Sequence, residues 1–225
     1  HFGLPSPDLL ARVKSWGSKV FSSATTVEEA LWLQAHGADA IIAQGLEAGG
    51  HRGIFLGDDL TAQLGTFALL PQLVRAVDLP VIAAGGIADA AGVAAARALG
   101  ASAVQVGTAY LLCPEARTSA LHRAALQSDA ARHTALTNVF TGRPARGIVN
   151  RAMRMLGADG YSGGCISRQV PAFPLAATHL APLRAWAESQ GRDDFTPLWA
   201  GQAAPLARAM PAAELTRALA AGWRD

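Results

Sequence analysis

Three stretches place chemically useful residues directly after short apolar runs: Gln44-Gly-Leu-Glu-Ala-Gly-Gly-His-Arg-Gly53, Pro80-Val-Ile-Ala-Ala-Gly-Gly-Ile87 and Val104-Gln-Val-Gly-Thr108. The first carries a lone histidine, His51, behind Gly49 and Gly50. A neutral imidazole with a pKa near ~6.5 can take a proton at neutral pH or hydrogen-bond to an anion. The other two carry glycine turns, Gly85-Gly86 and Gly107-Thr108. Without a Cβ, glycine lets backbone N–H groups come close to an anion. The helix expected from about Asp89 adds its positive N-terminal end, and Thr108 adds a hydroxyl donor. One Gly-Gly pair alone is often only a tight turn. Two such turns at successive strand ends match the phosphate site that β/α barrels form after their last two strands. The pattern suits a parallel barrel holding a phosphorylated cofactor over a catalytic imidazole.

The elements that must position these residues read as a β/α repeat. His1 to Pro5 reads as the tail of a strand entering a loop, and Ser6 to Gly17 as a helix with Pro7 near its start. Strands are expected at Lys19–Ser23, Ala38–Gln44, Pro80–Ala84 and Ala101–Val106, the last three short and rich in Ala, Val and Ile. Helices are expected from Thr25 or Thr26 to Gly37, from Thr66 to Val77 and from Ala90 to Leu99. Glu28 and Glu29 fall in a first helical turn, where the dipole favours acids. Right-handed crossovers would set the strands side by side and parallel. A closed barrel needs eight such units and about 250 residues, so the fold class is α/β of the (β/α)8 TIM-barrel type, with only the C-terminal half of the barrel here. After Glu115 the pattern changes to helix-like stretches at Thr118–Ala130, 148–157 and 176–190, with loops at 160–167 and around Pro171 and Pro174. A small α-helical subdomain therefore follows the last strand, and Pro211 to Ala221 makes a final helix. The expected division is 1–115 half barrel, 116–204 mainly helical substrate-side subdomain, and 205–225 a C-terminal helix packing back on the barrel.

Composition agrees with this class. Of 225 residues, 51% are hydrophobic, few are aromatic and many are alanine, which suits close-packed helices around a parallel sheet. The net charge of +2 comes from scattered arginines, so a nucleic-acid surface is not expected. No apolar run approaches the roughly 20 residues that span a bilayer. Cys113 and Cys165 are too few for a disulfide framework and lack metal-site spacing, and a reducing cytoplasm is the default location.

The order and spacing of Gly-Leu-Glu-Ala-Gly-Gly-His-Arg-Gly, Ala-Ala-Gly-Gly-Ile-Ala-Asp, Gln-Val-Gly-Thr-Ala-Tyr-Leu and Thr141-Gly-Arg-Pro-Ala-Arg-Gly147 resemble the nitronate monooxygenases, formerly called 2-nitropropane dioxygenases. The likeness covers essentially the whole sequence. Members of that family carry further N-terminal residues forming the first barrel strands, so the resemblance implies a C-terminal portion. It implies FMN as cofactor, its phosphate on Gly85, Gly86, Gly107 and Thr108, with Gln105 near the ribityl chain. Gln44, Gly49 and the adjacent Gly50 would line the flavin ring. Ser23 and Gln44 replace a lysine and an aspartate of some relatives, implying rearranged polar contacts to the cofactor. His51 matches the active-site histidine, as base or as nitronate binder. The implied partners are a small nitronate and O2, with carbonyl compound and nitrite as products.

Other residues carry weaker expectations. Glu47 would orient His51 or cap a helix; Arg143 and Arg146 would approach an anion or serve a surface or subdomain interface. Trp199 and Gln202 would seat the helical subdomain, and Tyr110 would pack. An FMN-dependent enoyl-acyl-carrier-protein reductase using NADH shares the Gly-Gly-His and Ala-Gly-Gly-Ile-Ala-Asp features. The Leu-Leu-Cys-Pro-Glu run after Tyr110 and the Thr-Gly-Arg-Pro-Ala-Arg-Gly segment favour the nitronate enzymes. A flavinless aldolase or isomerase would need a lysine or an acid–base pair at strand ends, and Lys14 and Lys19 are poorly placed. A third reading is a non-catalytic barrel fragment whose unpaired strand edges invite aggregation. The missing strands would come from a preceding segment or a second polypeptide, and a homodimer stays open.

Overall fold

The computed structural model describes residues 1–157 and 165–224, so most of the loop expected at 160–167 lies outside the described residues. In chain order the regular elements are α1 (Pro7–Ser15), β1 (Phe21–Ala24), α2 (Val27–Ala35), β2 (Ala40–Gln44), β3 (Gly50–His51), α3 (Thr66–Ala76), β4 (Val81–Ala84), α4 (Ala90–Ala98), β5 (Ala103–Gln105), α5 (Ala120–Gln127), β6 (Thr134–Thr137), β7 (Ala145–Ile148), α6 (Arg151–Leu156), α7 (Ala176–Ser189) and α8 (Ala212–Ala220). They divide into two compact units: 1–47 and 53–106 with the chain from Arg217 onward, and 48–52 with 107–216.

The first unit is a repeat of strand and helix. Its four strands are all parallel in the order β1-β2-β4-β5. It carries four successive strands of the (β/α)8 barrel type. Thr26 caps α2 by accepting from Glu29 N, and Asp89 caps α4 by accepting from Gly92 N. Both helices stop in the same way. Gly37 and Gly100 take φ of +96°, and the next residue donates back across the turn, Ala38 N to Leu33 O and Ala101 N to Ala96 O. One strand face is closed against these helices: Ala24, Ile41, Ala43, Val81 and Ala83 form a core with Leu33, Leu69, Leu70 and Leu73. Alternation puts Ser23, Ile42, Gln44, Ile82, Ala84 and Gln105 on the opposite face. The register sets Gln44, Ala84 and Gln105 in one row at the C-terminal ends of three adjacent strands.

Glu29 sits in the first turn of α2, but its carboxylate is buried at 1% exposure and does more than complement a dipole. It accepts from Thr25 N and Thr25 Oγ1 at 2.7 Å each, from Phe55 N at 2.6 Å and from Leu56 N at 3.3 Å. Gln63 Nε2 adds a bond to Thr25 Oγ1 at 2.9 Å. The long segment between β3 and α3 is thereby pinned to the corner between β1 and α2.

The second unit contains helices, as expected, and also an antiparallel sheet in the order β3-β7-β6. Its hairpin pairs Thr134 with Ile148 and Thr137 with Ala145. The strands Thr-Ala-Leu-Thr and Ala-Arg-Gly-Ile are too short and too weakly alternating to announce themselves, and the Gly-Arg-Pro between them reads as loop. Ile148, Leu198, Ala200, Leu112 and Leu126 pack in one cluster; Val139, Phe140, Val149 and Met153 pack in another. Among the described residues no helix is long and apolar enough to cross a membrane.

Glu29→Ala strips acceptors from several buried donors at once. The expected cost is about 3 kcal/mol or more, read as a lower urea midpoint with an unchanged denaturant slope.

Candidate active site

Backbone pairing places His51 in the second unit's sheet. Gly50 and His51 pair antiparallel with Arg146 and Ala145, and Arg52 N donates to Pro144 O at 2.8 Å, extending the ladder. Two glycines make this route passable. A Cβ on Gly49 would lie 2.5 Å from Gly201 N and 2.6 Å from the Ala200 carbonyl carbon. Gly50 has φ of +75°, a conformation side chains rarely adopt, with open space where its Cβ would be.

The half-buried imidazole then meets the loop joining β6 to β7. His51 Nε2 lies 2.9 Å from Thr141 Oγ1. Gly142 follows with φ of +86°, and a Cβ there would fall 2.6 Å from Phe173 N. The close approach brings Phe173 alongside, its ring 5.7 Å from the imidazole and edge-on at 77°. Trp199 lies 5.6 Å from the imidazole, and Phe140 backs Trp199 at 5.5 Å. The result is a histidine between two aromatic rings, with a hydroxyl at one nitrogen.

Burial lowers the His51 pKa, and the positive charge of Arg143 lowers it further. The ring is therefore neutral at neutral pH and able to accept a proton. Arg146 is a different kind of residue: 5% exposed, it donates through Nη1 to Thr134 O at 3.2 Å and to Thr134 Oγ1 at 3.3 Å. Of the two arginines flagged in the sequence, Arg143 is the one beside His51. Glu47 caps α3, accepting from Thr66 N at 2.8 Å and Thr66 Oγ1 at 2.9 Å.

The two glycine turns lie in different units, Gly85 and Gly86 in the first and Gly107 and Thr108 in the second. Gly85 and Gly86 have φ of +111° and +74°, and neither N–H donates to a partner among the described residues. Gly85 O is held by Thr66 Oγ1 at 2.9 Å. Beside Gly107 the space is open. Thr108 Oγ1 accepts from Gly201 N at 3.0 Å, so its own proton remains to be donated. Gln105 is exposed at its strand end. Ser23 and Gln44 are instead engaged with the chain: Ser23 Oγ lies 3.0 Å from His1 Nδ1, and Gln44 Oε1 accepts from Gly53 N at 2.7 Å. Tyr110 OH lies 2.8 Å from Thr216 Oγ1.

Thr141 and Phe173 were not singled out from sequence, and Trp199 was expected only to seat the helices. Thr141 stands in a motif whose arginines drew attention. Phe173 lies between prolines in a loop, with no local signal of its destination.

The fold defines a protein of the β/α-barrel class. The family model for nitronate monooxygenase matches residues 1–222, and the chain belongs to that family. It is 48% identical over 219 residues to a nitronate monooxygenase of Paraburkholderia phytofirmans, covering 97% of this chain and 58% of the relative. A nitronate monooxygenase of Pseudomonas aeruginosa is 46% identical over 219 residues, with 97% and 61% covered. Among solved structures, a nitroalkane oxidase from Streptomyces ansochromogenes superposes with a TM-score of 0.87 at 42% identity, covering 99% of this chain and 62% of that one. FabK from Thermotoga maritima gives 0.75 at 29% identity, with 98% and 66% covered. The chain thus spans about three-fifths of the curated relatives it matches.

A second histidine, His122, has its pKa lowered by burial, opposed by a hydrogen bond with the Trp199 backbone, and its Nε2 has no hydrogen-bond partner among the described residues. For both histidines the folded pKa lies below the unfolded value of ~6.5. The unfolded chain then binds more protons as pH falls, so the stability these sites permit is complete above about 6.5 and is lost on acidification. The expected result is a melting temperature that falls below about pH 6.5, with a shallower fall in His122→Leu.

Proposed function

We propose that this chain carries the catalytic histidine and phosphate-binding turns of an FMN-dependent enzyme that oxidises alkyl nitronates with O2 to a carbonyl compound and nitrite. The observation that carries the reading is the neutral, half-buried His51 between Phe173 and Trp199, with the Arg143 cation near enough to shift its pKa. Each unit by itself supports flavin-phosphate contacts: in the first, Gly85 and Gly86 offer backbone donors with no partner among the described residues, and in the second, Gly107 leaves space and Thr108 keeps a proton to donate. Gln105, at the end of β5, suits the sugar-like chain that follows such a phosphate. When bound, the flavin supplies the path for electrons from the nitronate to O2.

The residues of this chain supply the rest. His51 takes the proton from the carbon next to the nitro group of a neutral nitroalkane, or hydrogen-bonds to the oxygens of a nitronate already formed. Arg143 draws the anion in. Phe173 and Trp199 present apolar faces to the alkyl substituent and limit water around the imidazole.

The test is oxygen consumption by the FMN-loaded protein with ethyl nitronate and, separately, with NADH. Uptake with matching nitrite release and no response to NADH is the expected outcome; reduction of the flavin by NADH without nitronate turnover would assign the site to the NADH-dependent reductase. Arg143→Gln is expected to raise KM for the nitronate about tenfold or more by removing a charged partner, with less effect on kcat.

A further inference from the structure

We infer that Thr141 is the positioning residue for His51, a hydroxyl able to hold the imidazole in either protonation state. The inference rests on the reading of His51 as the base.

Thr141 is held in place by its own loop. Thr141 N and Gly142 N both donate to Asn138 O, at 3.3 and 2.7 Å. The Asn138 side chain is in turn clamped to the Ser167 main chain, donating to its carbonyl at 2.7 Å and accepting from its N–H at 2.9 Å. The methyl group of a β-branched residue further narrows χ1. The hydroxyl therefore sits at a fixed point.

Around that point the donors and acceptors are complementary. Thr141 Oγ1 is 2.9 Å from His51 Nε2, 3.3 Å from Arg143 O and 3.4 Å from Arg143 N. When Nε2 carries a proton, it donates to Thr141 Oγ1, and the hydroxyl proton turns to Arg143 O. When Nε2 is bare, the hydroxyl donates to it, while Arg143 N–H still approaches Oγ1. When the ring tautomer changes, one rotation about the Cβ–Oγ1 bond lets the hydroxyl follow it with no heavy atom displaced. With Nε2–H held on Thr141 Oγ1, the ring exchanges its catalytic proton at Nδ1 without releasing its anchor, which is the preorganisation a base requires. Among the described residues, Arg143 is the ionisable group whose charge reaches His51. Arg146 on β7 reaches Thr134, and His122 meets the Trp199 backbone.

The test compares Thr141→Val, Thr141→Ala and Thr141→Ser with His51→Asn in the full FMN-loaded protein, using neutral nitroethane and ethyl nitronate as substrates. Nitrogen-15 spectra of the His51 ring in flavin-free protein give a second readout. Loss of the hydroxyl is expected to lower kcat for nitroethane about 10- to 100-fold, with a much smaller change for preformed nitronate. It is also expected to alter the His51 tautomer balance, while Thr141→Ser restores both. Adding Thr141→Val to His51→Asn is expected to cost nothing further. Should Thr141→Val and Thr141→Ala keep wild-type kcat and an unchanged ring spectrum while His51→Asn is inactive with nitroethane, the positioning role is overturned. Full nitroethane turnover in His51→Asn would instead overturn the base reading on which the inference rests.

Discussion

The antiparallel pairing of Gly50 and His51 with Arg146 and Ala145 is the contact on which the site depends. Residues 48–52 are a short excursion between two stretches of the β/α unit, and backbone hydrogen bonds fix their place in the second unit's sheet. Neither β3 residue has an apolar side chain to bury. The chain can take this course because Gly49 lets backbone pass against backbone at Ala200 and Gly201, and because Gly50 accepts a positive φ. The same device recurs at Gly142, where the 171–173 segment comes too close for a side chain. Both close approaches end by delivering groups to one imidazole: Trp199 precedes Ala200, and Phe173 ends the other segment.

Electrostatics and packing then act in the same direction. Partial burial between aromatic rings penalises an imidazolium, and the Arg143 guanidinium adds to that penalty. The lowered pKa makes the ring a weaker base but leaves it unprotonated at neutral pH. The positive charge that discourages protonation of His51 also suits the anion proposed as substrate. Glu47, whose charge would act in the opposite sense on a neighbouring imidazole, is committed to the start of α3.

Features written locally were legible in the sequence. The parallel strands showed as short Ala, Val and Ile runs, and the glycine turns and His51 stood at their ends. The helices expected from Thr25 or Thr26 to Gly37 and from Ala90 to Leu99 correspond to α2 and α4. Features that exist only by long-range approach were not legible. Nothing around Thr141 points ninety residues back to His51, and Phe173 and Trp199 join the site through separate loops. The β6–β7 hairpin escaped notice because its strands are four residues each and its alternation is broken by arginine and glycine. Glu29 looked like an ordinary first-turn acid; its bonds to Phe55 and Leu56 depend on a loop fold that no local pattern announces. At Gly49, close backbone packing against Ala200 and Gly201 requires glycine.

The central claim is that His51 is a neutral base of depressed pKa. The most direct measurement is the pH dependence of kcat/KM for neutral nitroethane in the FMN-loaded protein, with His51→Asn beside it. The account requires an acid limb governed by a single group titrating below about 6.5, absent from the residual activity of the variant. A limb at higher pH, or one that survives the loss of His51, would contradict it.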